Sequence, residues 1–173
     1  MSNFNQSAYP QTAPTPSSGG ALDDQSKKFA IIGIVGSLIA FVGAFTVWTV
    51  LKADGLGEDR YKSTDGDGVF VIITALIAAA LFVGTIVAKK SVLNIGGAGF
   101  SLVTLVIAVW NMADPERLAT QVAEDKGASS EQIEAALKQV DTSSGPGVYI
   151  TLVGALIAVA VGVLGFLKGR ANQ

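Results

Sequence analysis

Residues 68 to 113 read GVFVIITALIAAALFVGTIVA, then KK, then SVLNIGGAGFSLVTLVIAVWNMA. The first run, Gly68–Ala88, has 21 residues without a charge, and the second, Ser91–Ala113, has 23. Only Lys89 and Lys90 separate them. About 20 apolar residues as a helix cross the hydrocarbon core of a bilayer. Two such runs joined by a two-residue basic turn predict an antiparallel pair of transmembrane helices.

Outward from this pair, the same pattern recurs on both sides. Phe29–Leu51 and Gly145–Leu167 are each 23 residues long and uncharged. The four runs hold 90 of the 173 residues, so all 26 charged residues fall in the remainder. Charged residues are 15% of the chain, against about 25% in a soluble domain, and the mean hydropathy is +0.49. A soluble globular domain is excluded. Backbone polar groups in hydrocarbon must be satisfied within the segment, so each run is expected to be helical. The runs are too long and too uniformly apolar for barrel strands. The expected fold is an all-α four-transmembrane-helix bundle, with spans at about 29–51, 68–88, 91–113 and 145–167 and loops at 52–67 and 114–144.

Residues 1–28 are rich in Ser, Gln, Pro, Ala and Gly and hold three of the five prolines (Pro10, Pro14, Pro16). They read as a disordered cytoplasmic tail, with 29–170 the membrane domain and 171–173 a short C-terminal tail. The first span is too long for the apolar core of a cleaved signal peptide and follows a polar stretch, so it is expected to be retained. Orientation follows from basic residues beside the spans. Lys27, Lys28, Lys89, Lys90, Lys168 and Arg170 flank one membrane face, where the connection is short and purely basic. The opposite face carries the other six basic residues, at lower density in the longer loops, with twelve acidic residues that weigh little in this rule. The expectation is a multi-pass protein of a bacterial plasma membrane with both termini cytoplasmic.

Trp48 and Phe70 border the first loop, and Trp110 and Tyr149 border the second. All four are expected at the loop-bearing interface as an aromatic belt. Small residues recur at four-residue spacing: Gly36, Ala40 and Ala44 in the first span, and Gly154, Ala158 and Gly162 in the fourth. Such stripes allow close approach of helix backbones in lipid. They predict packing within the bundle, with homo-oligomerisation through one stripe as the alternative.

The chain also carries an internal echo. Gly66-Asp67-Gly68-Val69-Phe70-Val71 enters the second span and Gly145-Pro146-Gly147-Val148-Tyr149-Ile150 enters the fourth. Val47-Trp48 and Val109-Trp110 end the preceding spans. Two repeated helical hairpins running in the same direction are the implied architecture.

In the first loop, Asp65-Gly66-Asp67-Gly68 matches a fragment of a calcium loop, but the alternating ligands and closing Glu are missing. Thr64 or Asp65 reads instead as a helix cap. In the second loop, Asp114-Pro115-Glu116 starts a helix, Gly127 ends it, and Ser129-x-x-Gln132 is a capping box for another. Ile133, Leu137 and Val140 are spaced to share a helix face. This short external hairpin is expected to lie on the membrane or over the bundle mouth, with that apolar face packed on the protein's own spans; docking to an external partner protein is the alternative.

Chemistry is scarce. The chain has no Cys and no His, which removes disulfides, thiol catalysis, iron–sulfur clusters and nearly every zinc or copper site. The spans hold no ionisable residue of the kind that ion-coupled transporters and proton relays keep at membrane depth. Gly96-Gly97-x-Gly99 follows no strand and lacks the phosphate-loop lysine, so no nucleotide site is expected. No catalytic, cofactor-binding or metal residue is assigned, and no nucleic-acid partner is expected.

The Asp-Gly-Asp-Gly entry, the Lys89-Lys90 turn and Gly145-Pro146-Gly147-Val148-Tyr149-Ile150-Thr151-Leu152-Val153-Gly154-Ala155-Leu156 together resemble small, largely uncharacterised four-span membrane proteins of actinobacteria. Those proteins often pair a polar Pro/Gln/Ser-rich tail with such a bundle. The resemblance covers Phe29 to Arg170 and implies a fold and a membrane, but no activity. The architecture also resembles claudins, without the Trp and paired cysteines expected in their first external loop, so that function is not carried over. The functional expectation is a non-enzymatic accessory or assembly subunit of a respiratory or cell-envelope complex, contacting membrane lipids and other membrane subunits. The alternative is a small channel, lipid carrier or transporter component.

Overall fold

The computed structural model of the chain describes residues 24–53, 57–66 and 68–171. Four long helices dominate: α1 (Asp24–Gly43), α2 (Gly68–Ala88), α3 (Val92–Ala113) and α6 (Pro146–Ala171). All four are long and apolar enough to cross a membrane. At about 1.5 Å per residue the shortest, with 20 residues, extends about 30 Å. The helices form a ring in the order α1, α2, α3, α6, in which α6 closes against α1. Apolar side chains remain exposed all around it, among them Ile31, Leu38, Ile73, Val87, Val106, Leu156 and Leu164. In water such a belt would be an aggregation surface; facing lipid it is the expected exterior.

The bundle interior is built from small residues. Ala30, Ala40, Ala75, Ala78, Ala98, Ala108, Ala155 and Ala158 are all buried. Apolar burial alone does not drive helices together in lipid, so contact depends on close backbone approach and van der Waals packing. The large exception is Phe82, which is fully buried. A Cβ placed on Gly33, Gly97 or Gly162 would stand 2.8, 2.8 and 3.1 Å from its ring. One ring from α2 therefore fills the space left open by glycines on the other three helices.

A second layer caps the loop end of the bundle. Strands β1 (Val47–Ala53), β2 (Gly57–Lys62) and β3 (Val140–Ser144) form an antiparallel sheet in the order β2-β1-β3. Short helices α4 (Glu116–Asp125) and α5 (Ser130–Leu137) lie between α3 and β3. The expected helical hairpin is present. Its second helix has the predicted capping box, with Ser129 accepting from the Gln132 N–H and the Gln132 side chain accepting from the Ser129 N–H. Gly127 has φ 85°, the left-handed conformation that ends the first helix without a Cβ penalty.

The sheet corrects the all-α expectation and the first span boundary. The uncharged run Phe29–Leu51 is not one helix: α1 stops at Gly43, and β1 begins at Val47. Thr46-Val47-Trp48-Thr49-Val50 is β-branched and aromatic, a composition that favours strands. The chain leaves the helix through tight turns, Phe45 N–H to Val42 O and Thr46 N–H to Gly43 O. At the other end α1 includes Asp24–Lys28, so helix extends into the segment assigned to the tail; residues 1–23 of that tail lie outside the described residues. Helix α6 likewise runs past Leu167 to Ala171.

The hairpin repeat fails at its tryptophans, because Val47-Trp48 lies in a strand and Val109-Trp110 in a helix. The shared glycine entries have a local cause in each copy. Gly68 packs against the Ser63 side chain, and Gly147 against Thr46 and Trp48. Each helix starts where a Cβ would collide with the preceding loop-end layer.

Candidate functional site

Trp48 ties the two layers together. It is 1% exposed and packs among Ala44, Val71, Leu118, Val122 and Val148. Its indole N–H donates to Gly43 O at 3.0 Å, and Thr46 Oγ1 donates to the same carbonyl at 2.8 Å. These bonds satisfy a carbonyl that the helix end leaves without an intrahelical donor. Gly145 N–H donates to Trp48 O at 2.7 Å, joining β1 to the start of α6. Ser63 Oγ donates to Ala44 O at 2.6 Å, and Thr49 Oγ1 to Pro115 O at 3.2 Å. The sheet and the second loop are thus held on the bundle as a platform.

The outer rim of this platform is charged. Glu58 lies 3.1 Å from Lys52 Nζ and 3.2 Å from Arg60 Nη2. The hydrogen bond from Lys52, followed by that from Arg60, holds the Glu58 carboxyl below its ordinary range. Partial burial, with Asp59 and Asp65 nearby, pushes the Tyr61 hydroxyl up. Charges along an edge strand discourage edge-to-edge pairing with other chains. Asp65 caps the single 3₁₀ turn Ser63–Asp65 by accepting from the Lys62 N–H at 2.9 Å. The sequence pattern offers Thr64 or Asp65 as a cap of α2; Asp67 of the calcium-like fragment, which immediately precedes α2, lies outside the described residues.

The predicted site residues separate into groups. Trp48 is in the core and leaves the aromatic belt, because the chain has turned from helix to strand before reaching it. Phe70, Trp110 and Tyr149 are 62%, 58% and 52% exposed at the loop end of the helices, and the Arg117 guanidinium sits 4.7 Å over the Trp110 ring. Gly36, Ala40, Gly154, Ala158 and Gly162 are all buried. A Cβ on Gly36 would lie 2.8 Å from Gly154 O, and one on Gly154 2.5 Å from Ala40 N. Gly36 and Ala40 therefore face Gly154 and Ala158 across the α1–α6 seam, whereas a Cβ on Gly162 would meet Ala98 and the Asn94 carbonyl of α3. Ala44 is buried too, but one residue beyond the end of α1. The helix face drawn through Ile133, Leu137 and Val140 is broken: α5 ends at Leu137 and Val140 opens β3. Ile133 is buried, and only the other two are half-exposed.

The sequence did not mark Phe82, its glycine partners Gly33 and Gly97, or Ser26 as packing residues. The available signal was one aromatic in the tail half of α2 with a glycine in the same half of each other helix. Polar groups of the spans turn inward. Asn94 Nδ2 donates to Ser26 Oγ at 3.1 Å, and Ser26 Oγ donates to Gly165 O at 3.3 Å. Thr74 and Thr104 share a 2.7 Å hydrogen bond, and Thr151 Oγ1 donates to Ala40 O at 3.3 Å. Asn94 Oδ1 and Ser101 Oγ are buried without a hydrogen-bond partner among the described residues. No group of three or more metal-ligating side chains is found among the described residues.

Comparison with protein-family models, with curated proteins and with solved structures gives no match to this chain.

Proposed function

We propose that the protein is a non-enzymatic, multi-pass protein of a bacterial plasma membrane, acting as an accessory or assembly subunit of a larger respiratory or cell-envelope complex. The observation that carries this reading is the platform at the loop end. A charged sheet and a helical hairpin are fastened to the bundle through Trp48, Thr49 and Ser63, giving a firm outward surface above a closely packed core. Phe82 and its glycines occupy the centre of the tail half, where a conduction path along the bundle axis would run. The positive-inside pattern supports cytoplasmic termini and an external platform.

Purification from native membranes in a gentle detergent, with a tag on the C-terminus and mass spectrometry of the associated proteins, tests the proposal. A stoichiometric membrane-protein partner is the expected result. A lone protein at every detergent concentration overturns it. The second reading, a small channel, lipid carrier or transporter component, draws on the inward-facing Ser, Thr and Asn groups, among which Asn94 Oδ1 and Ser101 Oγ have no hydrogen-bond partner among the described residues. Solute or lipid flux into liposomes carrying the purified chain alone is its test.

A further inference from the structure

The tail end of the bundle gathers basic residues from three separate segments: Lys27 and Lys28 at the start of α1, Lys89 and Lys90 between α2 and α3, and Lys168 and Arg170 at the end of α6. Among the described residues the one carboxylate at this end is Asp24, and Lys27 holds it at 3.4 Å. Lys89, Lys90, Ser91, Val92, Phe166 and Arg170 line an open pocket of about 430 Å³. Three cations line it, and none of the three has an ion-pair partner among the described residues. Besides Ser91, its wall is apolar, from Val92 and the half-buried Phe166 ring, with the Arg170 guanidinium 5.5 Å from that ring.

The fold builds this pocket. Gly169 lies so close to Ser91 that any Cβ there would strike its side chain. That contact seats the last turn of α6 against the start of α3 and brings Arg170 beside the two lysines. Lys89 has φ 54°, a left-handed conformation that glycine or asparagine adopts more readily than lysine. The tight connection thus keeps a cation where a neutral turn residue would be conformationally easier. Ser91 makes no side-chain capping bond at the start of α3, and the N-terminal end of that helix adds its favourable field for an anion.

We propose that this pocket binds an anionic phospholipid, with its phosphate among Lys89, Lys90 and Arg170 and the start of an acyl chain against Val92 and Phe166. Basic pockets between membrane helices on the cytoplasmic side are suited to such headgroups. A free phosphate would satisfy the cations but leave the apolar wall unused. The inference rests on the bundle lying in a bilayer, and is independent of the accessory-subunit role.

The test uses the full chain reconstituted in nanodiscs, then released and weighed intact by native mass spectrometry. Discs contain phosphatidylcholine with or without phosphatidylglycerol. The expected result is retention of phosphatidylglycerol at about tenfold excess over phosphatidylcholine, falling to about parity in K89Q/K90Q/R170Q. K62Q/K126Q/K138Q, which removes three charges at the loop end, should keep the preference. K90Q and R170Q alone, both at exposed positions, should each lose about threefold and carry the test if the triple variant does not fold. Equal retention by wild type and triple variant overturns the proposal. So does equal loss in the loop-end control, or displacement of the lipid by millimolar inorganic phosphate. Extraction of the wild-type chain from membranes by alkaline carbonate would instead show that the membrane reading itself has failed.

Discussion

The ring of Phe82 lies 2.8 Å from the point where a Cβ on Gly97 would stand. The aromatic side chain and the missing one are two halves of one packing solution, repeated at Gly33. Phe82→Ala should lower bundle stability by about 3 kcal/mol, through lost contacts and a residual cavity. Gly97→Val should cost about 1–3 kcal/mol by overpacking. Because the two side chains compete for one space, the double variant should be more stable than the sum of the single losses predicts. Unfolding in bicelles by graded addition of a denaturing detergent measures all three.

Ser26 links helices α1, α3 and α6 through one hydroxyl, which accepts from Asn94 and donates to Gly165 O. Ser26→Ala should cost about 1 kcal/mol, the scale of interhelical hydrogen bonds in membranes. It strands Asn94 Nδ2 in the interior, so Ser26→Ala should add less when Asn94 is already alanine. A double-mutant cycle by the same unfolding assay reads that coupling.

Trp48 anchors the platform. Trp48→Ala should destabilise the loop-end layer by about 3–5 kcal/mol. Hydrogen exchange should then rise across β1, β2 and β3 while α2 and α3 keep their protection. Trp48→Phe retains most of the packing and loses the bond to Gly43 O, so it should cost only about 1 kcal/mol. A uniform rise in exchange across all four long helices would contradict the anchoring role.

Glu58 should titrate below its ordinary value of 4.5, since Lys52 and Arg60 favour the carboxylate. A lowered folded value means that its contribution to the β1–β2 pairing is present above the unfolded value and disappears as pH falls through the folded one. Carboxyl chemical shifts followed with pH should show this. Lys52→Gln should move the titration upward by more than Arg60→Gln does, because the Lys52 hydrogen bond is the larger cause. The site is exposed, so added salt should shrink both effects.

The chain has no cysteine, so single cysteines report membrane sidedness without background. Lys126→Cys should react with an impermeant maleimide on intact cells, and Lys90→Cys only after permeabilisation. The reverse labelling would invert the proposed orientation.

How much was readable before the fold was known depended on the range of the interactions involved. The four long helices follow from local chemistry: uncharged runs of bilayer length, bounded by Lys28, Lys89, Lys90 and Lys168, can satisfy their backbone only as helices in hydrocarbon. The turn at Gly127 and the capping box at Ser129 are legible for the same reason, since their hydrogen bonds join residues three or four apart. The facing stripes of Gly36 and Gly154 could be marked as packing surfaces, though not paired. Where α1 ends was not legible, because an uncharged run has the same hydropathy as helix or strand. Gly43 ends the helix through partners elsewhere in the chain: Trp48 returns to its carbonyl, while β2 and β3 supply the hydrogen bonds of β1. Those partners also moved Trp48 from the expected interface into the core. Phe82 meets its three glycines, and Arg170 joins Lys89 and Lys90, only once four helices have closed into a ring. Composition and hydropathy by themselves determined that the chain makes bilayer-length helices and which end is basic. Tertiary structure alone decided the sheet, the packing of Phe82 against its glycines and the basic pocket, because each depends on contacts between residues far apart in the chain.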